Sequence, residues 1–371
     1  MNILGSKTMK KILLPLLFLT LLFSCQEKSP LQVDGEAELR IVAVWNNSAV
    51  DSIKNYISLA NSEMILVSEY GIRTEYTDEN GILHLKSIPS AVYQISARGK
   101  HPLDATILLV GNLNDLEVLS GMQIVDTIFT KPISSTGISI NEIYAGGPVN
   151  SIFFFYDQFI ELYNSSNEVK YLDGMQIFRV SGTDNFTKDP GDDWDDDDDI
   201  DGISYAFKFP GRSGEKNYPF EPQTFVTIAQ DAIDHSATVG TSIDLSKADW
   251  EFVNQFNAVD FDNPKVPNLI SIRLDKTSDF MISLTSDIIV LASGVDTVWE
   301  DGIDIETILD GVEYQSSNSS RKTLDDRIDR GWVQAPPKYN GESMQRREKG
   351  IDTNDGTLDW NVIPKPTPGW Q

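Results

Sequence analysis

The stretch from Ile138 to Ile177 constrains the fold most. Ile138, Ile140 and Glu142 alternate there with Ser139, Asn141 and Ile143. Gly146-Gly147-Pro148 follows, then a bulky run from Ile152 to Tyr163, closed by the polar turn Asn164 to Asn167. Branched and aromatic side chains at period two, bounded by Gly, Pro and Asn, specify strands. The same signature recurs along the chain. Leu39, Ile41, Ala43 and Trp45 alternate with Arg40, Val42 and Val44, and further runs span 64–67, 70–76, 82–85, 92–97, 122–129, 223–231 and 270–274. Asn80-Gly81 supplies a tight turn at little conformational cost. Ile282 to Leu284 and Ile288 to Leu291 read as a hairpin around Thr285-Ser286-Asp287, and the spacing predicts one short helix over 247–255. The expected class is all-β.

The N-terminus reads as a processing signal. Lys7, Lys10 and Lys11 precede the apolar run Ile12 to Phe23, which is too short for a mature membrane-spanning helix. It ends Leu22-Phe23-Ser24-Cys25, which resembles a bacterial lipobox, and Cys25 is the sole cysteine of the chain. That resemblance implies lipidation at Cys25 and an outer-membrane location, with anchoring by more than one acyl chain. Gln26-Glu27-Lys28 resembles the short tags that carry some lipoproteins to the cell surface. The full chain carries a net charge of -26, and loss of the three signal lysines leaves 27 basic against 56 acidic residues, near -29. Such a chain repels nucleic acid and anionic lipid head groups, so a charged partner is a cation or a basic surface.

Two family resemblances follow from specific wording. Thr77-Asp78-Glu79-Asn80-Gly81, Leu85, Ile88-Pro89 and Tyr93-Gln94-Ile95 resemble the carboxypeptidase regulatory-like module, a prealbumin-like β-sandwich without catalytic residues. Ile140 to Ile143, Asp157 to Asn164, Leu172 to Ile177, Ser343 to Arg346, Asp359-Trp360 and Pro366-Thr367-Pro368-Gly369 resemble the lamin-tail domain, an immunoglobulin-like sandwich. The combination resembles bacterial envelope lipoproteins of unknown function that accompany TonB-dependent receptors. The implied organisation is a signal peptide over 1–24, a tether over 25–35, a β-sandwich over 36–130 and a linker over 131–137. A second, enlarged sandwich spans 138–371, with long insertions and an acidic one around 181–220.

Nine of the thirteen residues from Asp189 to Asp201 are aspartate. Mutual repulsion predicts an exposed, mobile run. Asp197, Asp199 and Asp201, followed by Gly202, match the first half of a calcium loop, whose hard oxygen ligands sit at positions 1, 3 and 5 with Gly at 6. Lys208 stands where the twelfth-position Glu belongs, so a distant group would have to complete the site. The leading reading is a solvated acidic loop; a calcium site, with calcium the one cofactor the sequence suggests, is the alternative. His84, His101 and His235 lack zinc spacing, no G-x-S-x-G elbow surrounds a serine, and no Gly-rich phosphate loop precedes a helix. Glu161 reads as structural, and Trp45, Trp332, Trp360 and Trp370 as core or strand-end residues. The functional expectation is a non-enzymatic binding or adaptor lipoprotein, accessory to a TonB-dependent receptor or bound to a surface glycan. A hydrolase of polysaccharide or peptide and a structural spacer are the alternatives.

Overall fold

The computed structural model describes residues 37–47, 54–132, 137–182, 189–317 and 322–371, so Cys25, the signal and the tether lie outside the described residues. Two large sheets hold twenty of the twenty-four strands among the described residues, and the protein is all-β. The first sheet contains β1 (Ala37–Asn46), β2 (Tyr56–Ser58), β3 (Glu63–Ser68), β4 (Gly71–Tyr76), β5 (Ile82–Ile88), β6 (Ala91–His101), β7 (Asp104–Val118) and β8 (Gln123–Pro132). Its order is β2-β1-β8-β7-β6-β3-β4, with β5 also on β1. The alternation in β1 aims Leu39 and Ile41 inward, where they meet Met64, Leu66, Ile95, Leu109 and Ile128. Asp78 makes the turn between β4 and β5: its Oδ1 accepts the Asn80 and Ile82 N–H groups, and Gly81 takes φ +74°.

The remaining strands are β9 (Ile138–Tyr144), β10 (Phe159–Asn164), β11 (Lys170–Tyr171), β12 (Gln176–Val180), β13 (Asp199–Ile200), β14 (Ile203–Lys208), β15 (Pro219–Phe220) and β16 (Phe225–Ala229). They continue with β17 (Trp250–Val253), β18 (Asn268–Ser271), β19 (Ser286–Ala292), β20 (Ile303–Asp304), β21 (Ile308–Gln315), β22 (Val333–Gln334), β23 (Ser343–Arg346) and β24 (Trp360–Ile363). Twelve form one sheet, ordered β22-β21-β19-β12-β14-β18-β17-β16-β10-β9-β23-β24; β11–β15 and β13–β20 are short accessory pairs. The large sheet curls until distant members touch. The Ile140 N–H of β9 donates to Asp310 of β21, and buried Arg346 of β23 pairs with the same carboxylate at 2.7 Å. Inside lie Ile140, Ile160, Phe207, Ile228, Phe252 and Val312. The two sheets are docked: Ser96 donates to Asp355 at 2.7 Å, and Arg347 pairs with Glu63 at 2.9 Å. Among the described residues no helix is long and apolar enough to cross a membrane.

Glu142 and Glu161 stand directly opposite each other on β9 and β10, on the outer face of the curled sheet. The C-terminal tail covers them. Glu142 accepts the Thr367 N–H and hydroxyl, and Glu161 accepts the Gly369 N–H. The Pro-Thr-Pro-Gly ending is thus a strap clasped by two glutamates, and Glu161 is one of its anchors.

Several local expectations fail for identifiable reasons. The bulky run is not extended before Phe159. Asn150 folds residues 148–154 into a knot, its amide donating to the Pro148 and Phe154 carbonyls and accepting from the Ile152 and Phe154 N–H groups. The stretch read as a helix over 247–255 contains strand β17, because Trp250 and Phe252 alternate into the core with Glu251 pointing away. Ile282 to Leu284 is irregular rather than half of a hairpin: Gln158 captures the Ile282 N–H and C=O, and Asp287 takes the Ser283 N–H. Trp332 and Trp360 are buried, while Trp370 is 65% exposed.

Candidate functional site

The acidic run is not a free solvated loop. Arg327 grips it, pairing with Asp193 at 2.6 Å and Asp198 at 2.7 Å while Asp325 holds the guanidinium at 2.9 Å. Asp193 in turn accepts the Asp197 and Asp198 N–H groups at 3.0 and 3.1 Å, curling the backbone. Asp198 takes φ +73°, the left-handed conformation a calcium loop assigns to its sixth position. The carboxylates that converge are Asp193, Asp195 and Asp197, each with an oxygen within 4.8 Å of the others. That register starts four residues before the one read from sequence. Of the three residues read as ligands, Asp197 is exposed, Asp199 joins β13, and Asp201 is buried with an oxygen on the Trp194 N–H. Burial first, then neighbouring aspartates, push Asp199 and Asp201 up to about 6. Arg327 holds Asp193 below the usual carboxylate range.

A second constellation lies at one end of the curled sheet. Strands β16, β17 and β18 are mutually parallel, and β9 runs in the same direction because both β9 and β16 are antiparallel to β10. The chain therefore leaves all four strands at the same end. The segment after β9 carries Ile152 and Phe153, 68% and 69% exposed, with Phe153 at φ +60°. Strained backbone in an exposed aromatic residue is a feature of functional loops. The segment after β17 exposes Phe256, Phe261 and Val259, the last 90% exposed. Buried ties hold the loops together: Asp157 accepts the Tyr144 and Ser242 hydroxyls, and the Gln158 amide spans Ala145 and Ile282. Burial raises Asp157 to about 6.

Beneath these loops Asp231, Asp260 and Asp279 converge, one from the segment after each of β16, β17 and β18, each with an oxygen within 4.8 Å of the other two. Their Oδ1 atoms are buried and receive no N–H or hydroxyl donor, and Asp260 and Asp279 lie close enough to hydrogen-bond each other through one proton. Glu251 frames them, accepting the Ala232 N–H at 2.5 Å and the Asn263 N–H at 2.8 Å. Burial first, then Asp260 and Glu251, push Asp231 up to about 7. The sequence reading missed this group. Asp231 follows an apolar run and the other two do not, and among 56 acids nothing in one dimension marks these three.

Comparison with known proteins adds a partial family match and a fold. Residues 221–304, which hold this aspartate group, match a family described as protein of unknown function (DUF4876). The chain is similar to the crystal structure of a DUF4876 family protein from Bacteroides thetaiotaomicron VPI-5482, at 20% identity over 88% of this chain and 94% of that one, with a TM-score of 0.51. That likeness concerns the fold alone. No curated protein matches the chain.

Proposed function

We propose that the chain is a non-enzymatic outer-membrane lipoprotein, anchored through Cys25 and acting as a binding or adaptor module for a TonB-dependent uptake receptor at the cell surface. The finer reading of the two sheets as a carboxypeptidase regulatory-like and a lamin-tail-like module belongs to the same proposal. The observation that carries it is the apolar end of the curled sheet, where Ile152, Phe153 and Val259 project from loops tied down underneath. Exposed apolar groups on a braced framework suit partner recognition. In cells, the wild type is expected to fractionate with membranes and to co-purify with such a receptor after crosslinking. Ile152→Ser with Phe153→Ser should keep the fractionation and lose about tenfold of the co-purification, the size of one lost apolar anchor. Cys25→Ser should be released or left unprocessed. A cleaved Cys25→Ser protein that still sediments, or receptor capture untouched by the loop variant, would sink the reading. Turnover of a glycan or peptide abolished by one carboxylate substitution would replace it with the hydrolase.

We also propose that the acidic loop takes calcium, with Asp193 and Asp195 joining Asp197 as ligands in the curled register. With no bidentate Glu at position twelve, the affinity should fall at roughly 10⁻⁴ to 10⁻³ M. Trp194 lies inside the loop and reports the site. Trp-sensitised terbium luminescence, displaced by calcium and reduced in Asp195→Asn/Asp197→Asn, is the expected result; equal luminescence in that variant would return the run to a loop neutralised by Arg327.

A further inference from the structure

We infer that Asp231, Asp260 and Asp279, with Gln230, form a second divalent-cation site, suited to calcium, buried beneath the exposed loops. Three connections from parallel strands deliver one carboxylate each to one point, where Asp260 and Asp279 face each other and Asp231 keeps a buried Oδ1 without a hydrogen-bond partner. Gln230 gives the independent observation. It is only 1% exposed, its Nε2 donates to Asp279 at 3.2 Å, and its Oε1 is left buried with no partner. A buried polar oxygen without a donor is costly. A proton shared between Asp260 and Asp279 accounts for their two oxygens alone and leaves Asp231 Oδ1 and Gln230 Oε1 unmatched. One hard cation serves all four. Calcium accepts six to eight oxygens at about 2.3–2.6 Å, which places its ligand oxygens up to roughly 5 Å apart, and carboxylate and amide oxygens are its usual protein ligands. The absence of nitrogen and sulfur donors argues against zinc.

The surrounding contacts place the ligands. Glu251 fixes the segments carrying Asp231 and Asp260 through Ala232 and Asn263, and Asp260 Oδ2 is already held by the Asn254 N–H at 2.6 Å. Asp260 sits between exposed Val259 and Phe261, so the cation locks the loop that presents them. The site stands whether or not the adaptor reading holds.

The test is calorimetry and melting of the full chain carrying Asp195→Asn/Asp197→Asn, which removes the acidic loop as a competing site. Calcium should bind with a stoichiometry of about one. At a free concentration tenfold above Kd it should raise Tm by about 3 °C, with magnesium giving less. Adding Asp279→Asn should abolish both signals. Its cation-free Tm should equal or exceed that of its parent, because one of three repelling carboxylates is gone; Asp231→Asn is the second variant. A flat calorimetric trace to 10 mM calcium, or a shift that survives in both Asp279→Asn and Asp231→Asn, overturns the inference. The calorimetric arm needs neither variant to fold.

Discussion

Arg346→Met should destabilise the protein by about 3–5 kcal/mol, the usual result of removing one partner from a buried ion network. In a sheet of this size that lowers Tm by about 10 °C. Arg346 is 2% exposed. It pairs with Asp310 at 2.7 Å, Asp359 at 3.0 Å and Asp352 at 3.4 Å, and its Nε donates to the Ile140 carbonyl at 2.7 Å. Those partners belong to β9, to β21 and to the segment running into β24, so one side chain closes the curled sheet. Burial works against its charge, but the three carboxylates outweigh burial and hold its pKa above the ordinary value. Burial also pushes Asp310 and Asp359 above the usual carboxylate range, with Arg346 pulling back. Without the guanidinium they must bind protons in the folded state. Their folded pKa values then stand further above the unfolded ones, so the variant should recover stability as pH falls. The loss should be larger at pH 8 than at pH 5.5. Equal melting of variant and wild type, or a loss independent of pH, would show that hydrophobic packing alone closes the sheet.

The wild-type protein should itself be more stable at pH 5.5 than at pH 8.5, the reverse of an ordinary acid-sensitive domain. Glu161 is the leading cause. Burial first, with opposing hydrogen bonds from Gly369, Asn141 and Thr227 and repulsion from Glu142, pushes it up to about 8 from an ordinary 4.5. A carboxyl raised in this way stabilises the fold fully below its unfolded pKa and loses that contribution as pH rises through its folded value. Asp231, pushed up to about 7, acts in the same direction. The lowered groups, such as Asp173 and Asp193, titrate below the ordinary carboxylate range and leave this window untouched. At about 1.4 kcal/mol per unit, Glu161 alone is worth roughly 3 kcal/mol between pH 5.5 and 8. Glu161→Gln should flatten the profile and melt higher than wild type at pH 8. Its amide still accepts the Gly369 N–H, and its NH₂ can donate to Asn141 Oδ1, which has no partner in the wild type. Glu161→Ala should instead lose the strap and melt lower. A profile that is flat or rises toward pH 8.5, or one unchanged in Glu161→Gln, would contradict the assignment.

The all-β class was legible because period-two alternation and Asn-Gly or Gly-Pro punctuation are local properties. β1, β3, β4, β9, β10 and β16 each have a counterpart in the alternating runs, and the turn at Asp78 to Gly81 is built by side chains within four residues of one another. The motif glutamates and the Pro-Thr-Pro-Gly tail were also visible as words. That they clasp each other is a contact between residues more than two hundred positions apart. Tertiary structure decided the rest. Asn150 cut short a run whose composition is strand-forming, because its amide satisfies four backbone groups in a knot that no strand would permit. Arg327, from a distant loop, grips the curled acidic segment through Asp193, four residues ahead of the pattern that reads as a calcium loop, and through Asp198 within it. The convergence of Asp231, Asp260 and Asp279 depends on β16, β17 and β18 running parallel, and strand direction within a sheet is set by crossovers rather than by the residues of any strand.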